Sequence, residues 1–471
     1  MKPSVQSLTP EQKRAMLARL LQQQPAVCKT AFILQGLFLE CLINPGPAWN
    51  MHSSIRFFHK VDPEMLRSRM QKVIDRHPAL RTTYEIPADR DLEYHAKILM
   101  IRLDALGLWE LNLESLVEQR VHPSHSLEFK VVDARGWSAE QLREQLLADA
   151  LEGYDLTRLP VCRLRLYQRE QDDVMQLDVH HCAADLWSLE LIMAELEQPA
   201  EGPPPASFSE FCSWQHAWFA LPKAQAMREW WSRELAGCPS LALPHSEADD
   251  LAKFIFFRLD SEVLALARQI CRSHKITLFN LVLSALQTTV GRALGQDDFA
   301  IGGAVANRPN QRFEETVGFF AQLVFYRRNL SEVHSWEQLW EKNRTTIAEV
   351  LDHQFFPVAT TMPAPRTDVW IMFQQYQKAR WFEGEPPPGE PLGLRTGGVV
   401  NSPLGPWEFL FVDPPHNSSP VMLEIVEQSD GIQGVFRYRT SCFSKKQATA
   451  YAQDFQDHLR AALANPSAPI G

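Results

Sequence analysis

The chain is 471 residues long, enough for about three domains of ~150 residues or for two large lobes. Hydrophobic residues at 45% against 22% charged, with 26 Phe and 13 Trp, exclude a largely disordered polymer. A formal charge of −10, with no Lys/Arg block interleaved with aromatics, argues against a phosphate backbone as partner, so no nucleic acid is expected.

No apolar run reaches the ~18 residues a membrane-spanning helix needs. The nearest, 276–290, is interrupted by Asn280, Ser284, Gln287 and Thr288. The opening residues lack the apolar core of a signal peptide, and a cytoplasmic, monomeric protein with no membrane contact is expected. Eight cysteines (Cys28, Cys41, Cys162, Cys182, Cys212, Cys238, Cys271 and Cys442) form no C-x-x-C pair, so neither a metal site nor a disulfide framework is expected.

Taken in chain order, Thr9-Pro10-Glu11-Gln12 predicts a capped helix carrying Ala15, Met16, Leu20 and Leu21, either a docking helix for a partner or a leader packed on the body. Asp62-Pro63 predicts a second helix with a stripe of Leu66, Met70, Val73 and Ile74, ending at His77-Pro78 before a strand. Ser138 and Gln141 form a capping box ahead of Leu142, Leu146 and Leu147. Alternation in 162–167 and 175–179 about a polar turn predicts a hairpin with one buried face. Period two puts His181 with Met175, Leu177 and Val179, and His180 with Gln176 and Asp178.

A helix over 186–196 is followed by Pro-rich 198–207, where the lobe boundary is placed. This divides the chain into a leader (1–27), an N-terminal lobe (28–197), a linker (198–207) and a C-terminal lobe (208–471). Beyond the linker the pattern predicts strands 253–259, 298–305, 323–329 and 368–375, helices 261–274, 277–294, 336–351 and 444–464, and a hairpin 420–440. A second Pro-rich patch, 385–391, reads as a surface excursion or lid.

The chemistry concentrates in His180-His181-Cys182-Ala183-Ala184-Asp185-Leu186-Trp187-Ser188, where a strand ends and a helix begins. An imidazole on the apolar face stays neutral near pH 7 and so can act as a base. Asp185 can hold a ring or pair with an arginine from elsewhere. Cys182 suggests a thiol nucleophile, but neighbouring strand residues face opposite ways, and a buried inert cysteine is the simpler reading. No G-x-S-x-G, P-loop or G-x-G-x-x-G motif is present.

These residues resemble a known family. His180-His181-Cys-Ala-Ala-Asp185 is similar to the H-H-x-x-x-D-G signature of the condensation domains of nonribosomal peptide synthetases, relatives of chloramphenicol acetyltransferase. Gln35-Gly36-Leu37-Phe38 with Asn44-Pro45 and Trp49-Asn50 resembles the family's opening motif, and Arg76-His77-Pro78-Ala79-Leu80-Arg81-Thr82 its R-H-x-x-L-R-T segment. Asn307-Arg308-Pro309, Val317-Gly318-Phe319-Phe320 and His353-Gln354 with Pro357 resemble its later elements.

The resemblance implies an α/β (α+β) fold of two chloramphenicol acetyltransferase-like lobes, set in a V with a central tunnel. Donor and acceptor carrier proteins would enter it from opposite faces with substrates on phosphopantetheine arms, no cofactor being bound by the chain itself. It implies that His181 assists an acceptor amine as it attacks a donor thioester. Asp185 would be structural and salt-bridged to an arginine, with Arg81 the first candidate and Arg76 the second. His180, Trp187 and Ser188 belong to the active-site motif, and Cys182, Leu186, Gly318 and Gln322 are tunnel-lining candidates.

Two departures stand out. Leu186 replaces the signature glycine, and Ala321-Gln322-Leu323 replaces V-N-T. The run Asp185 to Ser188 resembles versions associated with acyl or polyketide donors. The expected function is amide formation by transfer of an acyl group, whether polyketide, fatty acyl or peptidyl, between carrier-bound substrates. Ester formation with a hydroxyl acceptor and a non-catalytic module that recruits another enzyme to a carrier are the alternatives.

Overall fold

A computed structural model describes residues 24–87, 116–246, 251–362, 364–375, 395–412 and 419–470. The helix expected near the N-terminus and the Pro-rich patch 385–391 lie outside the described residues.

The first half opens with strand β1 (Ala26–Lys29), helix α1 (Phe32–Ile43), strand β2 (Asn50–Phe57) and helix α2 (Pro63–Arg76). Asp62 caps α2 by accepting from Glu64 N–H, and Pro63 supplies a first helical position that needs no donor. Strands β3 (Thr82–Glu85), β4 (Glu118–Val121) and β5 (Glu128–Asp133) lead to helix α3 (Ala139–Ala150), whose Ser138–Gln141 capping box is formed in both directions. The hairpin β6 (Cys162–Gln168) and β7 (Asp173–His180) runs into helix α4 (Leu186–Glu197).

Helices α5 (Phe208–Phe219) and α6 (Pro222–Glu234) then precede strand β8 (Ala252–Leu259), helices α7 (Ser261–His274) and α8 (Leu278–Leu294), and strands β9 (Asp298–Val305) and β10 (Gln322–Asn329). Helices α9 (Trp336–Asp352) and α10 (Val358–Thr361), strands β11 (Val369–Gln375), β12 (Arg395–Ser402), β13 (Gly405–Phe411), β14 (Val421–Glu427) and β15 (Ile432–Arg439), and helix α11 (Lys445–Ala464) complete the order.

Two six-stranded mixed sheets organise these elements. The first runs β12-β13-β2-β7-β6-β5, the second β10-β9-β11-β14-β15-β8, and β1-β4-β3 form a small antiparallel sheet. Parallel pairing is confined to β5/β6 in the first sheet and to β9/β11 and β11/β14 in the second.

Two segments beyond the Pro-rich stretch cross back to the N-terminal half. Strand β13 adds to β2 with Trp407 opposite Phe57, and Phe208, Phe211 and Cys212 of α5 share a core with Phe313, Val317, Phe319 and Phe320. Strands β12 and β13 thus share a sheet with β2, and α5 shares a core with first-half residues such as Phe32 and Phe38. Alternation marks a strand but carries no information about which sheet accepts it.

Strand β7 is buried on both faces, not one as its alternation suggested. Met175, Leu177 and Val179 join the core that includes Leu66, Met70 and Ile74 of α2. On the other face Val174 joins Leu142 and Leu146 of α3. The polar positions on that face pair internally: Gln176 Nε2 donates to the Leu146 carbonyl at 3.1 Å and Arg165 Nη1 reaches Asp178 Oδ2 at 2.7 Å, while Gln176 Oε1 has no hydrogen-bond partner among the described residues.

The polar residues that interrupt the apolar run in α8 are likewise buried and paired. Asn343 Nδ2 donates to Ser284 Oγ at 2.9 Å and to Gln287 Oε1 at 2.8 Å, and Asn280 Nδ2 donates to the Trp340 carbonyl at 2.8 Å. Among the described residues no helix is long and apolar enough to cross a membrane.

Candidate active site

Strand β7 delivers two histidines in succession to the point where the ladder ends. His180 is its last residue, paired with Asn50 of β2, and His181 N–H donates to the Trp49 carbonyl at 2.9 Å. Residues 182–185 turn the chain, and Asp185 starts α4 by accepting from Ser188 N–H at 2.8 Å. The strand thus sets the height of His181 and the helix cap fixes the loop behind it.

The two rings have different surroundings. His180 is buried beside Tyr154 and Cys41, its Nδ1 accepting from Cys182 N–H at 3.1 Å. Burial, with the neighbouring imidazole, pulls its pKa down to about 3, so it is a neutral structural ring. His181 is half-buried and lies between Trp49 and Phe319, at centroid distances of 5.8 and 4.5 Å.

His181 Nδ1 is 2.8 Å from the Ala184 carbonyl. A carbonyl only accepts, so Nδ1 carries the hydrogen and the neutral ring keeps its lone pair on Nε2. Burial lowers the pKa of this ring below 6.5, against the opposing pull of Asp185. The result is an imidazole of fixed tautomer whose basic Nε2 has no hydrogen-bond partner among the described residues.

Asp185 does not pair with Arg81. Its Oδ1 accepts from Arg308 Nη2 at 3.2 Å and lies 2.7 Å from Ser188 Oγ, while Oδ2 accepts from Phe320 N–H at 3.1 Å. Arg81 instead donates through Nη1 to the His122 carbonyl, and Arg76, the second candidate, pairs with Glu195 at 3.3 Å. Both belong to the segment around the end of α2, which the fold turns towards β4 and the end of α4.

Arg308 serves several acceptors at once. Its Nη1 donates to the Phe313 and Thr316 carbonyls, each at 2.7 Å, and its guanidinium lies 4.1 Å above the Phe320 ring and 5.0 Å from Trp187. Trp187 Nε1 donates to the Glu314 carbonyl at 3.0 Å, and Ser188 Oγ accepts from Gly318 N–H at 3.0 Å. Asp185, Trp187 and Ser188 are thus clamp residues that tie the β7–α4 turn to the 308–320 loop.

The expected tunnel-lining residues divide. Cys182 is fully buried, and burial pushes its thiol well above the ordinary range, which removes it as a nucleophile. Leu186 is half-buried against the first core. Gly318 is packed against Phe208: a Cβ there would stand 2.3 Å from Phe208 Cδ2, so this glycine permits close packing. Gln322 is buried, its Nε2 donating to the Phe356 carbonyl at 3.3 Å and its Oε1 without a hydrogen-bond partner among the described residues.

Three further participants were not singled out from the sequence as site residues: Trp49 and Phe319, which flank the imidazole, and Arg308. The signal was available for Arg308, the only cation in the Asn307-Arg308-Pro309 motif, but its distance of 123 residues from Asp185 hid the pairing. Among the described residues no group of three or more His, Cys, Asp or Glu side chains could hold a metal ion.

A family model described as the condensation domain matches residues 31–368, and the chain belongs to this family. Its two-lobe architecture is chloramphenicol acetyltransferase-like. It is 26% identical to malpibaldin synthetase of Mortierella alpina over 482 residues, which cover 98% of this chain and 8% of that protein. The chain therefore spans only a small fraction of that relative's length. Among solved structures, the X-domain from teicoplanin biosynthesis superposes with a TM-score of 0.75 at 19% identity, covering 94% of this chain and 96% of that one. The SgcC5 protein from Streptomyces globisporus, solved with a naphthyl ethanediol, gives a TM-score of 0.68 at 21% identity, covering 94% and 100%.

Proposed function

We propose that this chain forms an amide by moving an acyl group from a donor carrier-protein thioester to the amine of an acceptor aminoacyl group, also carrier-borne. The observation that carries the reading is the fixed tautomer of His181, with Nδ1–H on the Ala184 carbonyl and Nε2 left basic on a half-buried ring.

The acceptor nitrogen attacks the thioester carbonyl, forming the C–N bond. Nε2 of His181 takes the proton that the nitrogen sheds. Collapse of the tetrahedral intermediate breaks the C–S bond, and the departing phosphopantetheine sulfur receives the proton from the imidazolium. A neutral amine is already nucleophilic, so proton transfer contributes less than the ~10²–10⁴-fold usual for general bases, with orientation of the two substrates supplying the rest.

A hydroxyl acceptor, giving an ester, is the second reading; it is supported by the diol present in the Streptomyces globisporus relative's structure. A hydroxyl needs its proton removed during attack, so dependence on His181 would be steeper. The deciding experiment offers one acyl-carrier donor to matched amine- and hydroxyl-bearing acceptors and follows the carriers by intact-protein mass spectrometry. Amide product in excess supports the first reading, ester in excess the second. No product with any pair would favour a module that recruits another protein; the X-domain from teicoplanin biosynthesis has been solved as a complex with OxyB.

A further inference from the structure

At the end of the second sheet remote from His181, a cysteine, a histidine and an aspartate lie together. Segment 241–246 runs between the ends of two strands: Leu241 N–H donates to the Arg366 carbonyl and Asp368 N–H to the Leu241 carbonyl, each at 2.9 Å, and Ser246 N–H donates to the Ser441 carbonyl at 2.8 Å. This places exposed His245 beside half-buried Cys442, with Sγ 3.5 Å from Nδ1. His245 Nε2 lies 3.6 Å from Asp368 Oδ2 and 3.5 Å from Arg366 Nη2. Asp368 is itself held by Leu243 N–H at 2.9 Å and by Arg366 Nε at 3.1 Å.

Cys442 Sγ also lies 3.9 Å from His245 Nε2, so the sulfur stands against the imidazole within reach of both ring nitrogens. An adjacent imidazole can take the thiol proton, and the Arg366 guanidinium, 3.5 Å from Nε2, adds positive charge beside the ring; both favour the thiolate. Of the other half-buried thiols, Cys41 lies 3.7 Å from Nε2 of the buried, neutral His180, and burial pushes Cys41 up to about 12 and Cys238 and Cys271 up to about 11, with Cys28 also raised.

We propose that Cys442 is a reactive thiol outside the transfer site, open to alkylation by small electrophiles and to thiol–disulfide exchange with low-molecular-weight disulfides. In the exchange its thiolate attacks one sulfur of the disulfide, a mixed disulfide forms, the original S–S bond breaks, and the second sulfur leaves as thiolate. The position is separate from His181: Asp368 precedes β11 beside the start of β9, whereas the Asn307–Phe320 loop follows the far end of β9.

The test is timed labelling of the full chain with limiting iodoacetamide, read by peptide mass spectrometry for each cysteine, in the wild type and in His245→Gln. Cys442 is expected to react at least about tenfold faster than Cys28 or Cys238, and His245→Gln to remove about tenfold of that rate. Incubation with glutathione disulfide is expected to add one glutathione, at Cys442. Equal rates at Cys442 and Cys28 in the wild type, or a Cys442 rate untouched in folded His245→Gln, would overturn the proposal. If His245→Gln does not fold, the wild-type comparison decides alone.

Discussion

Asp185 Oδ1 and Arg308 Nη2 stand 3.2 Å apart, with side-chain exposures of 5% and 2%, and together they join the turn that carries His181 to a loop from the other half of the chain. The carboxylate also caps α4 and accepts Phe320 N–H, while the guanidinium satisfies two loop carbonyls. Removing one member of a buried pair leaves the other charge uncompensated, at a cost of about 3–5 kcal/mol. Arg308→Ala should therefore destabilise the fold by that amount in chemical denaturation, whereas Arg81→Ala, losing one hydrogen bond to a carbonyl, should cost about 1 kcal/mol. Equal losses in the two variants would contradict the assignment of the clamp.

The His181 lone pair must be free for transfer, and burial holds the pKa of this ring below 6.5. Protonation sets in only as pH falls through that lowered value. The rate of transfer is expected to stay level down past pH 6.5 and to decline below it. An acid limb centred above 6.5, measured in single-turnover transfer, would show that another group governs the profile.

His180 links stability to pH. Its folded pKa of about 3 lies below the ordinary 6.5, so between these values the unfolded chain binds a proton that the native state refuses. Stability from this group is present above pH 6.5 and is lost towards pH 3, by up to about 1.4 kcal/mol per pH unit. Asp178, raised to about 7 by burial, has the opposite sign over much of the same range and flattens the wild-type curve. The His180 contribution should appear in the difference between wild type and His180→Gln, growing as pH rises from 3 to 6.5; a difference independent of pH would refute it.

Cys182→Ala should leave transfer within about twofold of wild type, because a thiol held far above its ordinary range by burial supplies no thiolate. Loss of turnover in this variant, with the fold intact by circular dichroism, would reinstate a covalent cysteine mechanism.

Gly318→Ala places a methyl group 2.3 Å from Phe208 Cδ2. A rigid ring in a filled core has little room to retreat, and overpacking of this kind costs about 1–3 kcal/mol. Adding Phe208→Leu should recover part of the loss in thermal denaturation. No recovery would mean that the strain falls elsewhere in the 308–320 loop.

Most second-half elements were legible because apolar periodicity and local caps coincide. Helix α7 and strand β9 have the expected bounds, and the Ser138 and Asp62 caps work within three residues of themselves. What escaped depends on partners distant in sequence. The strands β12 and β13 were not anticipated, and β13 joins a sheet whose β2 lies about 350 positions earlier. Gln176 and Asp178 suggested a solvent face because alternation does not reveal Leu146 and Arg165 waiting to pair with them. In the site, the motif located His181 and Asp185, but the choice among arginines needed three dimensions.

The most direct measurement loads an acyl donor and an aminoacyl acceptor onto carrier proteins and compares wild type with His181→Ala by intact-protein mass spectrometry under single-turnover conditions. A loss of about tenfold or more in the rate of acyl transfer, with the fold preserved, is the expected result. Transfer at the wild-type rate in His181→Ala would contradict a role for this imidazole and remove the basis for reading the site as catalytic.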